Sequence, residues 1–182
     1  MTEFDFAKVG KNSRIFPSVI VINGENIVLG DNVFIDDFVV FNGGLKSRIG
    51  NNIHISSFTS IIGGGEFHVG DFSGFGAGCR FITGSDDFSG QSLANPTVPM
   101  EFRNVELAII TIGRHVLLGA NCIALPNVTI GDGVIVSAGS IIDRDLEPWN
   151  IYVGTNPKRI RKRDKDKILA LEAKYREEFQ DT

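Results

Sequence analysis

The sequence lacks most of the features that mark secreted, membrane and nucleic-acid-binding proteins. Its only cysteines are Cys79 and Cys122, which argues against a disulfide-stabilised domain and predicts a reducing, cytoplasmic location. No segment approaches the roughly 18 apolar residues of a membrane span. The N-terminal MTEFDFAKVG has neither the basic nor the apolar segment of a secretory signal. A net charge of −4 gives no general attraction to nucleic acid.

Glycine, by contrast, is abundant at 21 of 182 residues, which indicates many tight backbone corners. An apolar residue followed by glycine and a polar pair recurs along the chain. The first four copies start 20 residues apart and the last two start 18 apart. They are VGKN (9–12), LGDN (29–32), IGNN (49–52), VGDF (69–72), IGRH (112–115) and IGDG (130–133).

Within each copy, every sixth residue is apolar. A period of six is neither the 3.6 of a helix nor the 2 of a simple strand, and it is typical of a solenoid with three short strands in each triangular coil. We therefore predict six stacked coils with these side chains inside. The inward positions are Val9, Ile15, Val21, Leu29, Ile35, Phe41, Ile49, Ile55, Ile61, Val69, Phe75, Phe81, Ile112, Leu118, Ala124, Ile130, Val136 and Ile142.

A second inward row of small or β-branched residues is expected four places after each of these, and both cysteines fall on it. We interpret them as packed core thiols. The ends of such a stack expose strand edges and need caps. Phe4 and Phe6 are predicted to close the first coil. Residues 165–180 are predicted to form a helix that packs against the coils or a neighbouring subunit through one apolar stripe. The stripe comprises Ile168, Leu171, Tyr175 and Phe179.

The repeat fails once, between Phe81 and Ile112. The gap of 43 residues from Val69 to Ile112 is 25 longer than an 18-residue coil. These residues include GSDDFSGQSLANPTVPMEFRN (84–104), which is predicted to project from one corner as a loop. The loop either locks subunits together or covers a substrate. Its anchoring candidates are Phe88, Leu93, Val98 and Phe102.

The segments 112–160, beginning IGRHVLLGANC, and 84–90, GSDDFSG, resemble the hexapeptide-repeat acyltransferases, in the branch that acylates sugars for surface polysaccharides. The resemblance implies an all-β fold, a left-handed parallel β-helix of hexapeptide repeats with one protruding loop and a C-terminal α-helix. It also implies a homotrimer, acetyl-CoA or another acyl-CoA as co-substrate, and an active site between adjacent prisms. We expect a β-helix domain over 1–160, with the insertion at about 84–108, and a helical tail over 161–182.

Acyl transfer from a thioester needs a nucleophile, a route for its proton and an oxyanion stabiliser. The loop offers Asp86, Asp87 and Glu101 but no histidine. A neutral amine attacks a thioester unaided, so these carboxylates favour an amino-sugar acceptor. Adjacent buried carboxylates would also repel, which raises one pKa and suits proton transfer. The Asp pair has a second interpretation as a turn or loop cap.

His115 is the alternative base, which would suit a sugar hydroxyl, or else a packing residue. His54 and His68 are interpreted as structural. The three histidines lack the spacing of the metal-binding relatives, so no metal is expected.

The donor is predicted to bind the last coils. Small residues at two equivalent corners leave the backbone open to a pantetheine arm, and a basic run would meet the CoA phosphates. The corner residues are Gly119, Ala120, Ser137, Ala138 and Gly139, and the basic residues are Lys158, Arg159 and Arg161. Arg163 is interpreted as a solvated charge.

These features predict an acyltransferase that acts on the amino group of a nucleotide-linked sugar. The alternatives are a sugar O-acetyltransferase with a histidine base and a non-catalytic scaffold.

Overall fold

The computed structural model describes residues 4–179, so Gln180 of the predicted helix lies outside it. The described residues form 21 short strands, two 3-10 turns at Gly24–Asn26 and Met100–Phe102, and one helix, α1 (Lys165–Phe179). Strands in the first half are β1 (Arg14–Ile15), β2 (Ile20–Ile22), β3 (Ile27–Leu29), β4 (Val33–Ile35), β5 (Val40–Asn42), β6 (Lys46–Ile49), β7 (Ile53–Ile55), β8 (Ser60–Ile62), β9 (Glu66–Val69), β10 (Gly74–Phe75) and β11 (Arg80–Ile82). The remaining strands are β12 (Gly84–Asp86), β13 (Val105–Leu107), β14 (Ile109–Ile112), β15 (Leu117–Leu118), β16 (Ile123–Ala124), β17 (Thr129–Ile130), β18 (Ile135–Val136), β19 (Ile141–Ile142), β20 (Asn150–Val153) and β21 (Lys158–Lys162).

Three parallel sheets form the sides of a prism. The eight-stranded sheet has the order β1-β4-β7-β10-β15-β18-β20-β21, the six-stranded sheet β2-β5-β8-β11-β16-β19, and the five-stranded sheet β3-β6-β9-β14-β17. Only the last strand, β21, runs antiparallel to its neighbour within these three sheets. Each coil contributes one strand to each side, which confirms the predicted parallel β-helix.

The core consists of the predicted inward rows. The every-sixth residues of the second to sixth coils are all buried, and each buried aliphatic or Phe side chain contributes about 1.5–3 kcal/mol. In the first coil Val9 is 44% exposed, because only one neighbouring coil covers it. Phe4 and Phe6 pack against this end of the core, as predicted. Both cysteines are buried and unpaired, in agreement with their interpretation as core thiols.

The two extra residues of the 20-residue coils lengthen the five-stranded sheet. Ile27, Ser47 and Phe67 point inward from β3, β6 and β9 and are buried, so this side carries a further inward row. A partial seventh coil, which the hexads did not predict, follows Ile142. It buries Leu146 and Tyr152 and adds β20 to the stack.

The prism has three edges, which we number. The first edge joins the eight- and six-stranded sheets and contains residues 36–38, 56–58, 76–78, 119–121 and 137–139. The second edge joins the six- and five-stranded sheets, and the insertion leaves it after Thr83 and returns at Ala108. The third edge joins the five- and eight-stranded sheets.

The helix α1 packs against the coils, as predicted, but it lies along the third edge and not across the open end. Asp164 accepts a hydrogen bond from the Lys167 N–H and starts the helix beside the last coils. Tyr175 then donates a hydrogen bond of 3.0 Å to Asn52, in the third coil. Leu171 and Phe179 of the predicted stripe are exposed, and Glu172 is the buried residue of the helix. The expected domain boundary at 160 falls inside β21.

Candidate functional site

The upper part of the first edge is built from residues with little or no side chain. Gly119 lies directly below Ser137 because β15 and β18 pair with an 18-residue offset. A Cβ on Gly119 would lie 2.4 Å from the Ala138 backbone nitrogen, and one on Gly76 would lie 2.5 Å from that of Ala120. The coils therefore stack backbone on backbone at these positions, which leaves a surface that an extended chain can follow.

A cavity of about 420 Å³ opens on the eight-stranded sheet beside this edge. It brings a histidine of the third coil next to the predicted donor corner. Its lining includes His54, Ser56, Gly74, Gly76, Leu117 and Gly119.

His54 is the ionisable side chain of this cavity. It points outward from β7, with 53% of its side chain exposed, and its Nε2 lies 2.9 Å from the Asp36 Oδ2. The next strand places Gly74 opposite His54, so one face of the imidazole is left uncovered. The sequence interprets His54 as structural, whereas the structure exposes its side chain at this cavity. Its outward position in the hexad, next to inward Ile55 and followed one coil later by a glycine, is a sequence signal for that exposure.

The insertion begins as an antiparallel hairpin of β12 and β13. Arg103 donates two hydrogen bonds, of 2.8 and 3.3 Å, to Asp86 Oδ1, and the Asn95 N–H donates to Oδ2. These bonds, chiefly the one from Arg103, lower the pKa of Asp86. Asp86 is thus an ionised residue that holds the two arms of the loop together.

Asp87 organises the tip of the loop. It accepts hydrogen bonds from the N–H groups of Ser89, Gln91 and Ser92 and from the Ser92 hydroxyl. Hydrogen bonds from Ser89 first, with those from Ser92 and Gln91, lower the pKa of Asp87 to about 2. The expected rise of one carboxyl pKa by mutual repulsion is therefore wrong, because each aspartate has its own donors.

Glu101 lies in the 3-10 turn Met100–Phe102 and is exposed. It borders a shallow cavity of about 380 Å³ together with Gln91, Leu93 and Arg103. The loop also exposes several large apolar side chains, namely Phe88, Leu93, Met100 and Phe102.

His115 is buried at the third edge, under α1. Its Nε2 lies 2.6 Å from Glu172 Oε2, and its ring stacks on Phe72 at 5.1 Å. Glu172 also pairs with Arg114 and Arg176. Burial raises the pKa of Glu172, but the hydrogen bonds from His115 and Arg176 and the charge of Arg114 outweigh it, and the pKa is lowered overall. His115 thus contacts the helix and not the cavity beside the first edge.

Replacing Glu172 by glutamine is expected to destabilise the chain by about 2 kcal/mol, because charge-assisted hydrogen bonds to a buried carboxylate are lost. Chemical denaturation followed by circular dichroism measures this. The pKa of Glu172 is lowered from 4.5 in the folded chain. The difference in free energy of unfolding between wild type and Glu172→Gln is therefore fully present above pH 4.5, and it becomes smaller as the pH falls below that value. The control is Glu178→Gln, which removes only an exposed pair with Lys174. Equal stability of the two variants would contradict the prediction.

Lys158, Arg159 and Arg161 are all exposed on β21, at the top of the eight-stranded sheet. Arg163 differs from its interpretation as a solvated charge. It is half-buried and donates hydrogen bonds to the carbonyl oxygens of His115 and Gly133, and burial lowers its pKa.

Between residues 4 and 179 no group of three His, Cys, Asp or Glu side chains is arranged to hold a metal ion. Over the same range α1 is too short and too polar to cross a membrane.

The predicted residues therefore lie on different edges of one prism. The small donor-corner residues lie on the first edge, next to the face of the eight-stranded sheet that carries His54, whereas Asp86, Asp87 and Glu101 project from the second edge. His115 lies at the third edge and borders, with His54, a further cavity of about 460 Å³ on the same sheet. One chain does not bring its own loop over its own donor corner.

Comparison with known proteins identifies the family of the chain. The family model for the bacterial transferase hexapeptide (six repeats) matches residues 109–144. The chain is 34% identical over 177 residues to the dTDP-4-amino-4,6-dideoxy-D-glucose acyltransferase of Escherichia coli, covering 97% of this chain and 92% of that protein.

Two structures of AntD, an N-acyltransferase from Bacillus cereus, are also similar. One is a complex with dTDP and 3-hydroxybutyryl-CoA. The other is a serine-to-alanine variant with dTDP-4-amino-4,6-dideoxyglucose and coenzyme A. Each is 36% identical, with a TM-score of 0.89, and covers 96% of this chain and 92% of its own. The resemblance seen in the hexads is thereby confirmed, and the chain belongs to the hexapeptide-repeat acyltransferases.

Proposed function

We propose that the protein transfers an acyl group from acyl-CoA to the amine of a dTDP-linked 4-amino-4,6-dideoxy sugar. The amine nitrogen forms a bond to the thioester carbonyl carbon, the C–S bond breaks, and an amide and free coenzyme A result. The observation that carries the proposal is similarity over nearly the whole length to an E. coli enzyme named for this sugar and to AntD, crystallised with it.

In this proposal the donor lies along the first edge. The pantetheine arm follows the corner at Gly119–Ala120 and 137–139, and Lys158, Arg159 and Arg161 meet the phosphates of CoA. The thioester then reaches the cavity of about 420 Å³ in which His54 is exposed.

The acceptor site is proposed to be completed by a second copy in a homotrimer. The loop of one chain, with Asp86, Asp87 and Glu101, projects from the second edge and covers the first edge of its neighbour. The exposed apolar residues of the loop supply the contact. Ionised Asp87 attracts the ammonium form of the substrate, but a carboxyl with a pKa of about 2 is a poor base.

The proton is therefore assigned to His54. The ammonium group must lose one proton before attack, and His54 accepts it, since an imidazole accepts protons near neutral pH. The nitrogen loses a second proton as the amide forms, and the departing thiolate takes it up to give free coenzyme A. Asp36 orients the ring through its contact with Nε2. In this scheme His115 positions α1 and does not touch substrate.

The exposed His54–Asp36 pair also favours a second candidate, O-acylation of a sugar hydroxyl, since a hydroxyl needs such a base. A thiol-release assay with dTDP-4-amino-4,6-dideoxyglucose and with dTDP-glucose separates the two. We expect turnover only with the amino sugar. Turnover only with the hydroxyl sugar would replace the proposal.

Acetyl-CoA at 100 times its Kd is expected to stabilise the fold by about 2.7 kcal/mol, seen as a rise in melting temperature. Free coenzyme A should act similarly and adenine alone should not, because the pantetheine arm supplies much of the contact. An unchanged melting temperature at millimolar acetyl-CoA would argue for the non-catalytic scaffold.

A further inference from the structure

Two phenylalanines protrude from the lower half of the first edge and stack on each other. Phe38 and Phe58 are 57% and 60% exposed, with ring centroids 5.2 Å apart and an interplanar angle of 10°. Both adopt a φ of +63°. Bulky residues seldom adopt this left-handed conformation, so the chain holds two exposed rings in strained backbone.

The same corner position in the higher coils is filled by residues that tolerate positive φ. These are Gly78, Asn121 and Gly139. Asparagine or glycine at 38 and 58 would thus satisfy the turn without strain, and the core requires neither ring. Strain that the fold does not need points to a role for the rings themselves.

The residue that follows Phe58 in this column is a glycine, Gly78, which has no side chain. A Cβ on Gly78 would lie 2.3 Å from Asn121 Oδ1, so the Asn121 carboxamide leans down into this layer. The column thus presents the flat apolar ring of Phe58 and, at the level of Gly78 above it, the hydrogen-bonding amide of Asn121.

A positive charge lies at the same level. The Arg80 Nη1 donates a hydrogen bond of 2.6 Å to the Gly78 carbonyl, and the residue is exposed. The nearby carboxylates already have partners, since Asp36 contacts His54 and Asp37 accepts a hydrogen bond from Ser18. A flat ring that carries phosphate fits this combination of groups.

We propose that Phe58, supported by Phe38, stacks the nucleobase of the acceptor nucleotide, with Asn121 at the base edge and Arg80 towards the phosphates. The inference rests on the proposed function, which supplies a nucleoside diphosphate as the acceptor carrier. Because the rings lie below the donor corner on the same edge, acceptor and donor would enter one continuous groove from its two ends.

Isothermal titration of dTDP into the intact protein tests this subsite, with CoA as the second ligand. Phe58→Ala is expected to weaken dTDP binding about tenfold or more and to leave the Kd of CoA unchanged, whereas Phe58→Tyr retains binding. The control is Phe179→Ala, which removes an equally exposed ring, at 62%, from the end of α1. Phe38→Ala should have a smaller effect than Phe58→Ala, since Phe38 lies beneath it.

Three outcomes would overturn the subsite. Unchanged dTDP affinity in Phe58→Ala would show that the nucleobase does not stack on Phe58. Loss of CoA affinity instead assigns the rings to the adenine of the donor. If the molar mass of Phe58→Ala falls in light scattering, and Phe58→Tyr also loses dTDP binding, then Phe38 and Phe58 form a contact between subunits and not a nucleobase site. If wild type binds dTDP through Phe58 but does not acylate the amino sugar, the subsite stands and the proposed function fails.

Discussion

Replacing His54 by asparagine is expected to lower kcat/KM about a hundredfold or more at neutral pH, because the proton acceptor of the reaction is lost. Asparagine preserves the polar outer face of β7. The deficit should shrink as the pH rises, since a substrate amine that is already neutral attacks without a base. A pH profile of kcat/KM with the dTDP-amino sugar measures both effects.

The chain contains a matched control for this experiment. His68 lies on the five-stranded sheet with its Nε2 2.8 Å from Glu66 Oε2, a similar pair on another side of the prism. His68→Asn should retain kcat/KM within about twofold, on the general finding that changes outside a site are nearly neutral. Asp36→Asn should weaken turnover less than His54→Asn does. Equal pH profiles for His54→Asn and wild type would remove His54 from the mechanism.

Replacing Asp87 by alanine is expected to lower kcat/KM for the acceptor about a hundredfold, through KM and kcat together. The four hydrogen bonds that Asp87 accepts would be lost, so the tip of the loop no longer keeps one conformation over the neighbouring subunit. Because the pKa of Asp87 is about 2, its charge is constant over the working range and the loss should not vary with pH. Steady-state kinetics at several pH values measure this.

The melting temperature should hardly change in this variant, since the loop contributes nothing to the core. Glu106→Gln is the control, an exposed carboxylate on β13 of the same hairpin. Asp87→Asn and Glu101→Gln test the same segment with smaller changes in shape. Unchanged kinetics in all three loop variants would favour the other interpretation of the insertion, that it only locks subunits together.

The sequence predicts the prism well because its signal is local. Inward residues such as Ile55 and Phe75 recur every six positions, and stacking places each one above the last, so one period defines both the strands and the core. The same period correctly placed Gly119 below Ser137. The seventh coil was missed because the hexads lose their spacing after Ile142, where Pro148 and Trp149 form the turn.

Placements that depend on contacts between distant segments were not predictable in this way. The sequence predicts the helix and its packing against the coils but not its path, because Glu172 binds Arg114 and His115 on the third edge and nothing in the periodicity encodes that pairing. The low pKa of Asp87 depends on a loop conformation that has no repeat. The exposure of His54 depends on the side chain that the neighbouring coil lacks at Gly74, and the hexad period alone does not report it.

The path of α1 has a consequence for how the molecule unfolds. In a solenoid each repeat contacts only its neighbours, so the terminal repeats can melt one at a time. Here Lys165 lies 5.9 Å over the Trp149 ring in the last coil, and Tyr175 is bonded to Asn52, 123 residues away along the chain. The helix thus fastens the last coils to the third. The third to seventh coils, which include the donor corner, are therefore expected to unfold as one cooperative unit. The first two coils lie outside it and can unfold separately.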